Sequence, residues 1–320
     1  MKLIADQYGR SFKTLRVSLL NKCNLGCTYC SIGDENESLI KSLPRREKLP
    51  ADRLLSIIEQ LHKYLQLKTI RLTGGEPLLY PELIEVIEGV KTMGIPEIKL
   101  TTNGFLLKRL AEPMKVAGMQ SINVSLDAVD ENVFFLISKR NNVQRILDGI
   151  DKALDTGLQV KINSVVMKGM NDSQVLPLLE YAFKRGVTIR FLEVMAMGHL
   201  HREPEKYLFP QVDLLEVIGQ KYEFHRLHRQ DSATANYWQT SEGFTFGIIA
   251  NESEPFCHDC NRLRLDSQGN VYGCLSDNHP ISLLNVHDDE DLQPKLEQAL
   301  QQKQRLKFTG SELSMLEIGG

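Results

Sequence analysis

The sequence predicts an α/β fold: a partial, TIM-like (β/α)6 barrel over residues 1–200, followed by a smaller C-terminal domain over residues 201–320. Three observations predict it. Apolar, β-branched runs alternate with helical patterns from Leu15 to about Gly219, the mark of a parallel sheet built from βα units. The segments between these runs repeat their apolar residues at helical spacing. A stretch rich in charge, histidine and proline, Gly198–Pro210, then breaks the alternation.

Six runs read as strands: Leu15–Leu19, Thr69–Leu72, Ile98–Leu100, Ile122–Leu126, Gln159–Val166 and Val187–Leu192. Between them, Leu54, Leu55, Ile58, Leu61 and Leu65 mark one outer helix, and Val143, Ile146, Leu147, Ile150 and Leu154 another. A further helix is expected to start at Ser173 as its capping residue, after Asn171-Asp172. Right-handed crossovers close such units toward a barrel, and six give one open on one side. Beyond Lys221 the sequence predicts aromatic strands at Tyr237–Gln239 and Phe244–Ile249 and a polar helix around Leu292–Gln302, and Gly33–Lys48 reads as a solvated loop.

The composition excludes several classes. With 320 residues, 42% hydrophobic content and a net charge of −3, the chain is expected to bury a sizeable core and is not basic like a nucleic-acid or membrane-surface protein. The N-terminal residues lack an apolar core of secretion-signal length, and no run approaches the roughly 18 apolar residues of a membrane span. The expected location is cytoplasmic, where cysteines at short fixed spacings serve as metal ligands more often than as disulfides.

All six cysteines fall into two triplets, Cys23, Cys27 and Cys30 in C-N-L-G-C-T-Y-C, and Cys257, Cys260 and Cys274 in C-H-D-C…C. Three thiolates can hold a cubane iron-sulfur cluster and leave one iron open to a small molecule. Two such sites imply a reaction rather than a scaffold.

The strands carry an anomaly. A strand buried on both faces is nearly all apolar, yet Arg16, Arg71, Lys161 and Arg190 each sit inside one, with Ser18, Thr73 and Asn163 two residues beyond the first three. Four cations facing one lumen need matched carboxylates, with Glu76, Glu193 and Asp127 as candidates, or a polyanionic ligand. Arg262 and Arg264 alternate just after Cys260 and would face the same anion if that segment is extended. At the strand ends stand T-G-G-E-P, T-T-N-G, S-L-D and E-V-M-A-M-G, on the rim where barrel enzymes place their chemistry. There Gly74 and Gly75 permit close backbone approach, and Glu76 is a candidate for binding an ammonium group.

C-x3-C-x2-C with Tyr29 before the third cysteine, followed by T-G-G-E-P, resembles the radical S-adenosylmethionine superfamily. The segments F-C-H-D-C-N-R-L-R-L, G-C-L and the terminal M-L-E-I-G-G narrow the likeness. They resemble the GTP 3′,8-cyclase family of molybdenum-cofactor biosynthesis, and the similarity runs over nearly the whole chain. The resemblance implies two [4Fe-4S] clusters, on Cys23, Cys27 and Cys30 and on Cys257, Cys260 and Cys274. It implies S-adenosylmethionine contacts at Tyr29, Gly75, Ser125 and Met195, and GTP contacts at Arg16, Arg71, Thr101, Lys161, Arg262 and Arg264. Arg262, Arg264, Gly319 and Gly320 are the implied catalytic group, with the Gly-Gly tail inserted toward the site.

The implied reaction is reductive cleavage of S-adenosylmethionine, abstraction of the ribose C3′ hydrogen of GTP and attack on guanine C8, giving 3′,8-cyclo-7,8-dihydro-GTP. The implied partners are a flavodoxin- or ferredoxin-type electron donor and a downstream cyclic pyranopterin monophosphate synthase, and a homodimer is compatible with the family. The chain departs from the family pattern at Thr69, where lysine is common and Lys68 is adjacent, at Ser31, and in a shorter segment after Cys274.

Other readings stand beside this one. The second triplet with His258 or His279 is also the donor set of a Cys3His zinc site. His199, His201, His225 and His228 resemble a metal cluster, Met195 and Met197 fit a core role, and Trp238 reads as core. A radical peptide maturase with one auxiliary cluster, or a zinc-binding interaction protein without catalysis, are the rival functions.

Overall fold

The computed structural model describes residues 4–30, 48–286 and 288–319. Ser31, Gly320 and nearly all of the Gly33–Lys48 stretch lie outside the described residues.

The six expected strands form β1 (Thr14–Ser18), β2 (Thr69–Thr73), β3 (Glu97–Thr102), β4 (Ser121–Ser125), β5 (Gln159–Val166) and β6 (Thr188–Glu193), all parallel and in sequence order. Each alternates, as strand geometry requires. Leu15, Val17, Ile70, Leu72, Ile98, Leu100, Ile162 and Ile189 are buried on the helix side. The intervening residues, Arg16, Arg71, Lys99 and Lys161 among them, line the inner cavity.

The outer layer is built from amphipathic helices. Helix α1 (Ala51–Leu65) buries Leu54, Ile57, Ile58, Leu61 and Leu65 at helical spacing and ends where Gln66 turns left-handed, φ 51°. A buried leucine such as Leu61 contributes about 1.5–3 kcal/mol through transfer from water. Replacing it by alanine would cost about 2–5 kcal/mol. Helices α2 (Leu83–Thr92), α3 (Leu107–Ala117), α4 (Glu131–Ser138), α5 (Gln144–Asp155) and α6 (Val175–Lys184) follow. The Asp130 side chain caps α4 by accepting from the backbone N–H of Asn132 and Val133, at 2.9 and 3.0 Å.

Ser173 is not a cap. It lies inside a short 3-10 turn, Asp172–Gln174, and α6 begins at Val175 without a side-chain cap. The loop is organised by Asn171 instead. Its Oδ1 accepts from Met167 N–H at 2.8 Å, and its Nδ2 donates to the carbonyls of Asp127 and Val165, each at 2.9 Å. Both donors and the acceptor of the amide are thereby used, which fixes the loop better than a hydroxyl with one partner.

After residue 200 the chain adds strands to both edges of the same sheet. Helix α7 (Gln211–Gly219) leads to β7 (Phe224–Arg226), β8 (Asn236–Thr240) and β9 (Thr245–Ile249), and β9 lies parallel to β6. The chain then crosses to the other edge, where β10 (Arg262–Leu265) runs parallel to β1, followed by antiparallel β11 (Asn270–Tyr272) and β12 (Ile281–Ser282). The result is one 12-stranded sheet in the order β12-β11-β10-β1-β2-β3-β4-β5-β6-β9-β8-β7. Trp238 is core, stacked on Phe246 with ring centroids 5.7 Å apart. Helix α8 (Asp289–Gln301) packs Leu292, Leu296, Ala299 and Leu300 inward, and the short α9 (Met315–Ile318) begins with a Ser314/Glu317 capping box.

Candidate active site

Strand direction separates the two cysteine sets. Cys23, Cys27 and Cys30 follow the C-terminal end of β1, whereas Cys257 and Cys260 precede the N-terminal end of β10, which runs parallel beside it. Strand β11 runs back antiparallel and delivers Cys274 to the same end as Cys260. The triplets therefore lie beyond opposite ends of the β1–β10 pair, and a five-residue strand rises about 16 Å. All six thiols line one cavity of about 810 Å³.

Between them lies a row of cations. Arg264, Arg16, Arg71 and Lys99 are successive register partners across β10, β1, β2 and β3. Neighbouring strands are about 4.8 Å apart, so like charges stand side by side, an arrangement that destabilises a sheet by itself. Lys161, Arg190 and Arg262 line the same cavity. Of these seven, among the described residues only Lys99 has a carboxylate partner, Glu97 at 2.7 Å.

The carboxylates weighed as partners are committed elsewhere. Glu193 accepts from Gln211, Glu252 and Ser253 backbone N–H groups. Asp127 accepts from Tyr29 O–H and Val165 N–H, both at 2.8 Å. Glu76 does not face the cavity as an ammonium acceptor. It is fully buried and accepts from Thr102 O–H at 2.6 Å, Asn103 N–H at 2.7 Å and Leu78 N–H at 3.0 Å. Its work is to bracket the ends of β2 and β3.

Arg16 Nε and Arg190 Nη2 are buried without a hydrogen-bond partner. Burial, then Arg264 and then Arg71 push the Arg16 guanidinium well below its ordinary pKa, and burial first pushes Arg71 and Arg264 down to about 10. A guanidinium keeps its proton in proteins. These shifts therefore express unbalanced positive charge that a polyanion would relieve.

The thiols show the complementary imbalance. Burial, then Asp127, Cys30 and Cys23 raise Cys27 well above its usual range, and burial and Cys23 push Cys30 up to about 12. Cys257 rises to about 11 through burial and its neighbours Cys274 and Cys260. Burial raises Cys260 too, but Arg262 and Lys303 pull it down to about 6. Thiolates that repel one another need cationic centres between them, and three thiols per set match a cubane with one open iron. The donor chemistry fits. His258 and His279 are outside the cavity lining and turn to Asp259 and Asp277 at 3.9 and 3.1 Å, so neither completes a Cys3His set.

The remaining expected residues have definite places. Tyr29, Gly75, Ser125 and Met195 line the cavity near the first triplet, and Thr101 lines it on β3. A Cβ on Gly75 would sit 2.2 Å from the carbonyl oxygen of Lys22, so only glycine lets this turn press against the loop carrying Cys23. Met197 is buried at 3% exposure with Tyr272, Phe308 and Ile318, whereas Met195 reaches the cavity from the edge of that cluster. Thr69 lines the cavity and donates to Glu97 at 2.7 Å, while Lys68 is exposed and off it. His199 Nε2 donates to the Thr28 carbonyl at 2.8 Å, His225 lies on β7, and among the described residues the four histidines form no metal-binding group.

The C-terminal tail is docked, not frayed. Arg264 donates to the Gly319 carbonyl, and Ile318 is 1% exposed. Gly319 has φ +77°, and a Cβ there would meet Ser18 Cβ at 2.7 Å.

Several cavity residues escaped the sequence reading. Lys99 shares the alternation of its strand, which was signal enough. Asn103 donates to Cys23 Sγ at 3.5 Å and to Asn24 at 2.8 Å from the T-T-N-G turn. The loop 227–235 lines the cavity and is tied by Asp259, which accepts two hydrogen bonds from Arg229, each at 2.9 Å. Arg262 donates to the Ser232 carbonyl of that loop at 2.9 Å.

Comparison with known proteins agrees with this architecture. The Radical SAM superfamily profile matches residues 17–182, and the Molybdenum Cofactor Synthesis C profile matches residues 187–311. A GTP 3′,8-cyclase of Synechocystis sp. is 36% identical over 319 residues, covering 100% of this chain and 95% of that protein. Another of Staphylococcus saprophyticus is 35% identical over 342 residues, covering 99% of each. Among solved structures, Streptococcus suis SuiB bound to S-adenosylmethionine superposes with a TM-score of 0.65 at 14% identity, covering 93% of this chain and 73% of that one. Native anSMEcpe with bound AdoMet gives 0.54 at 15% identity, covering 87% and 79%. At these identities the structural likeness concerns the fold. With its full-length relatives and its two matched profiles, the chain belongs to the radical SAM superfamily and, within it, to the GTP 3′,8-cyclase family.

Proposed function

We propose that this chain is a GTP 3′,8-cyclase of molybdenum-cofactor biosynthesis, an enzyme that converts GTP to 3′,8-cyclo-7,8-dihydro-GTP. The observation that carries the reading is the unbalanced row Arg264–Arg16–Arg71 set between two cysteine triplets in one cavity.

Cys23, Cys27 and Cys30 hold one [4Fe-4S] cluster and Cys257, Cys260 and Cys274 the other. When bound, these groups supply the one-electron cleavage of S-adenosylmethionine and an open iron for the guanine. Tyr29, Gly75, Ser125 and Met195 flank S-adenosylmethionine at the first triplet. Arg16, Arg71, Lys161, Arg262 and Arg264 hold the triphosphate, Thr101 contacts the nucleotide, and Arg190 adds a further cation. A charge-assisted hydrogen bond contributes about 1.5–3 kcal/mol. Several together orient the ribose, and orientation is the main catalytic task of the protein. Arg264 also holds the Gly319 carbonyl and so ties Gly319 to a side chain assigned to the substrate.

The working division is residues 1–200 for S-adenosylmethionine and 201–320 for the second cluster. Among the described residues no helix is long and apolar enough to cross a membrane. The enzyme works in the cytoplasm with a flavodoxin- or ferredoxin-type donor, passes its product to cyclic pyranopterin monophosphate synthase, and is compatible with a homodimer. The test is anaerobic incubation of reconstituted, reduced protein with S-adenosylmethionine and GTP, with mass analysis of products. Formation of 5′-deoxyadenosine with no cyclic GTP derivative would reject GTP as the substrate.

A further inference from the structure

Lys303 follows α8 in the glutamine-rich segment Q-Q-K-Q, yet it is only 5% exposed. Its ammonium donates to Cys260 Sγ at 3.4 Å, to the Arg262 carbonyl at 2.9 Å and to the Gly273 carbonyl at 2.7 Å. An ammonium has three donors, and all three are used. Among the described residues it has no carboxylate partner within ion-pair distance. A buried charge needs a counter-charge, and here the sulfur of Cys260 is the group in contact that can carry one.

The neighbouring contacts show that this end of α8 is built against the second triplet. A Cβ on Gly273 would lie 1.7 Å from the Ala299 carbonyl oxygen, so the last turn of the helix presses directly on the residue before Cys274. Gln302 Oε1 accepts from Gly273 N–H at 2.8 Å. Lys303 thus ties together the residue before Cys274, the Cys260 thiol and the start of the strand that carries Arg262 and Arg264.

We propose that Lys303 is a positioning residue for the second cluster: it fixes Cys260 and donates an N–H···S hydrogen bond to the cluster's ligand shell, raising its reduction potential. The electrostatics are direct. Reduction adds negative charge to a thiolate-ligated cluster, and a fixed cation at the sulfur favours the more negative state, as hydrogen bonds to cluster sulfurs do generally. The inference rests on the assignment of a cluster to Cys257, Cys260 and Cys274.

The test is an EPR-monitored redox titration of oxygen-free, reconstituted enzyme without GTP, comparing wild type with Lys303→Met and Lys303→Arg, alongside iron analysis. The expected result for Lys303→Met is a second-cluster midpoint lowered by at least tenfold in the reduction equilibrium, about 59 mV for one electron, with the first cluster unmoved and Lys303→Arg closer to wild type. Loss of iron from the second triplet alone in Lys303→Met, restored in Lys303→Arg, supports the same role. An unshifted midpoint with full iron, or an arginine variant indistinguishable from the methionine one, overturns it. The Cys257→Ala/Cys260→Ala/Cys274→Ala variant separates the premise: iron content equal to wild type there would remove the cluster assignment itself.

Discussion

Arg16 and Arg264 are register partners on adjacent parallel strands, β1 and β10, with the Nε of Arg16 buried and unpartnered. The contact joins residues 248 positions apart in sequence. It makes the cavity lined by the six cysteines a junction between the first strand of the barrel and the cysteine-bearing C-terminal segment. Without an anion the pair is unfavourable, so binding and stability oppose each other here.

Arg16→Met should therefore do two things at once. Removing an orphaned donor and a like charge is expected to raise the melting temperature of the ligand-free protein, at about 2–4 °C per kcal/mol for a chain of this size class or slightly less. It should also weaken GTP binding about 10- to 100-fold, the equivalent of one charge-assisted hydrogen bond. Calorimetric melting and GTP titration check both arms. A variant that melts lower and binds GTP normally would show that Arg16 serves the fold.

Gly319→Ala tests the docked tail. The added methyl meets Ser18 at 2.7 Å and the φ of +77° is strained for alanine, so the tail is expected to leave its seat and release Arg264. Cyclisation should fall at least about tenfold while both clusters and the melting temperature change little. Arg264→Ala should likewise slow turnover with both clusters retained. Combined, the two substitutions should cost less than their sum, because each breaks the same contact. Additive losses would separate the arginine from the tail.

The barrel strands were legible because alternation of apolar residues with Arg16, Arg71 and Lys161 is a local signal. The edges were not. Strand β10 pairs with β1 across nearly the whole chain, and R-L-R-L states that Arg262 and Arg264 share a face without stating which strand they join. Glu76 was misread because its position after a strand suggests a rim, whereas the two glycines before it fold the turn back against Leu20 and Lys22 and bury the carboxylate. Lys303 carried a usable signal. Leu296, Ala299, Leu300 and Lys303 follow helical spacing, so the lysine continues the inward-packing stripe of α8 just past the end of the helix. Asn171 and Asn103 act through loop geometry that no periodicity encodes.

Removal of metal ligands should separate the two centres. Replacing Cys23, Cys27 and Cys30 by alanine is expected to lower iron from about eight to about four per chain and abolish S-adenosylmethionine cleavage, each cubane holding about four irons. Replacing Cys257, Cys260 and Cys274 should cause the same iron loss but spare S-adenosylmethionine binding, for which Tyr29, Gly75, Ser125 and Met195 are the proposed contacts. Iron and sulfide analysis with equilibrium binding distinguishes these cases. Zinc without sulfide in the second set would contradict the expectation.

Glu76 gives the fold a pH dependence of defined sign. Burial pushes its carboxyl up to about 7, and the three donors from Thr102, Asn103 and Leu78 only partly offset this. In the unfolded chain the group titrates near 4.5. Between these values the folded state holds the proton that the unfolded state has released, so stability falls as pH rises from about 4.5 to about 7 and then levels. The full difference is on the order of 3 kcal/mol. Asp127, pushed up to about 6 by burial, acts in the same direction over a lower range. In urea unfolding of the cluster-free protein, Glu76 and Asp127 should therefore lower the midpoint between pH 5 and pH 8, while Cys260, pulled down to about 6, works against them over the upper part of that range. Glu76→Gln cannot ionise, so its midpoint should vary less with pH, although it keeps fewer matched hydrogen bonds at the turn and should be less stable at pH 5. Because Asp127 is unchanged between the two proteins, the difference between their pH profiles isolates Glu76. Parallel profiles would mean that the carboxylate is already ionised in the fold, held by its three donors.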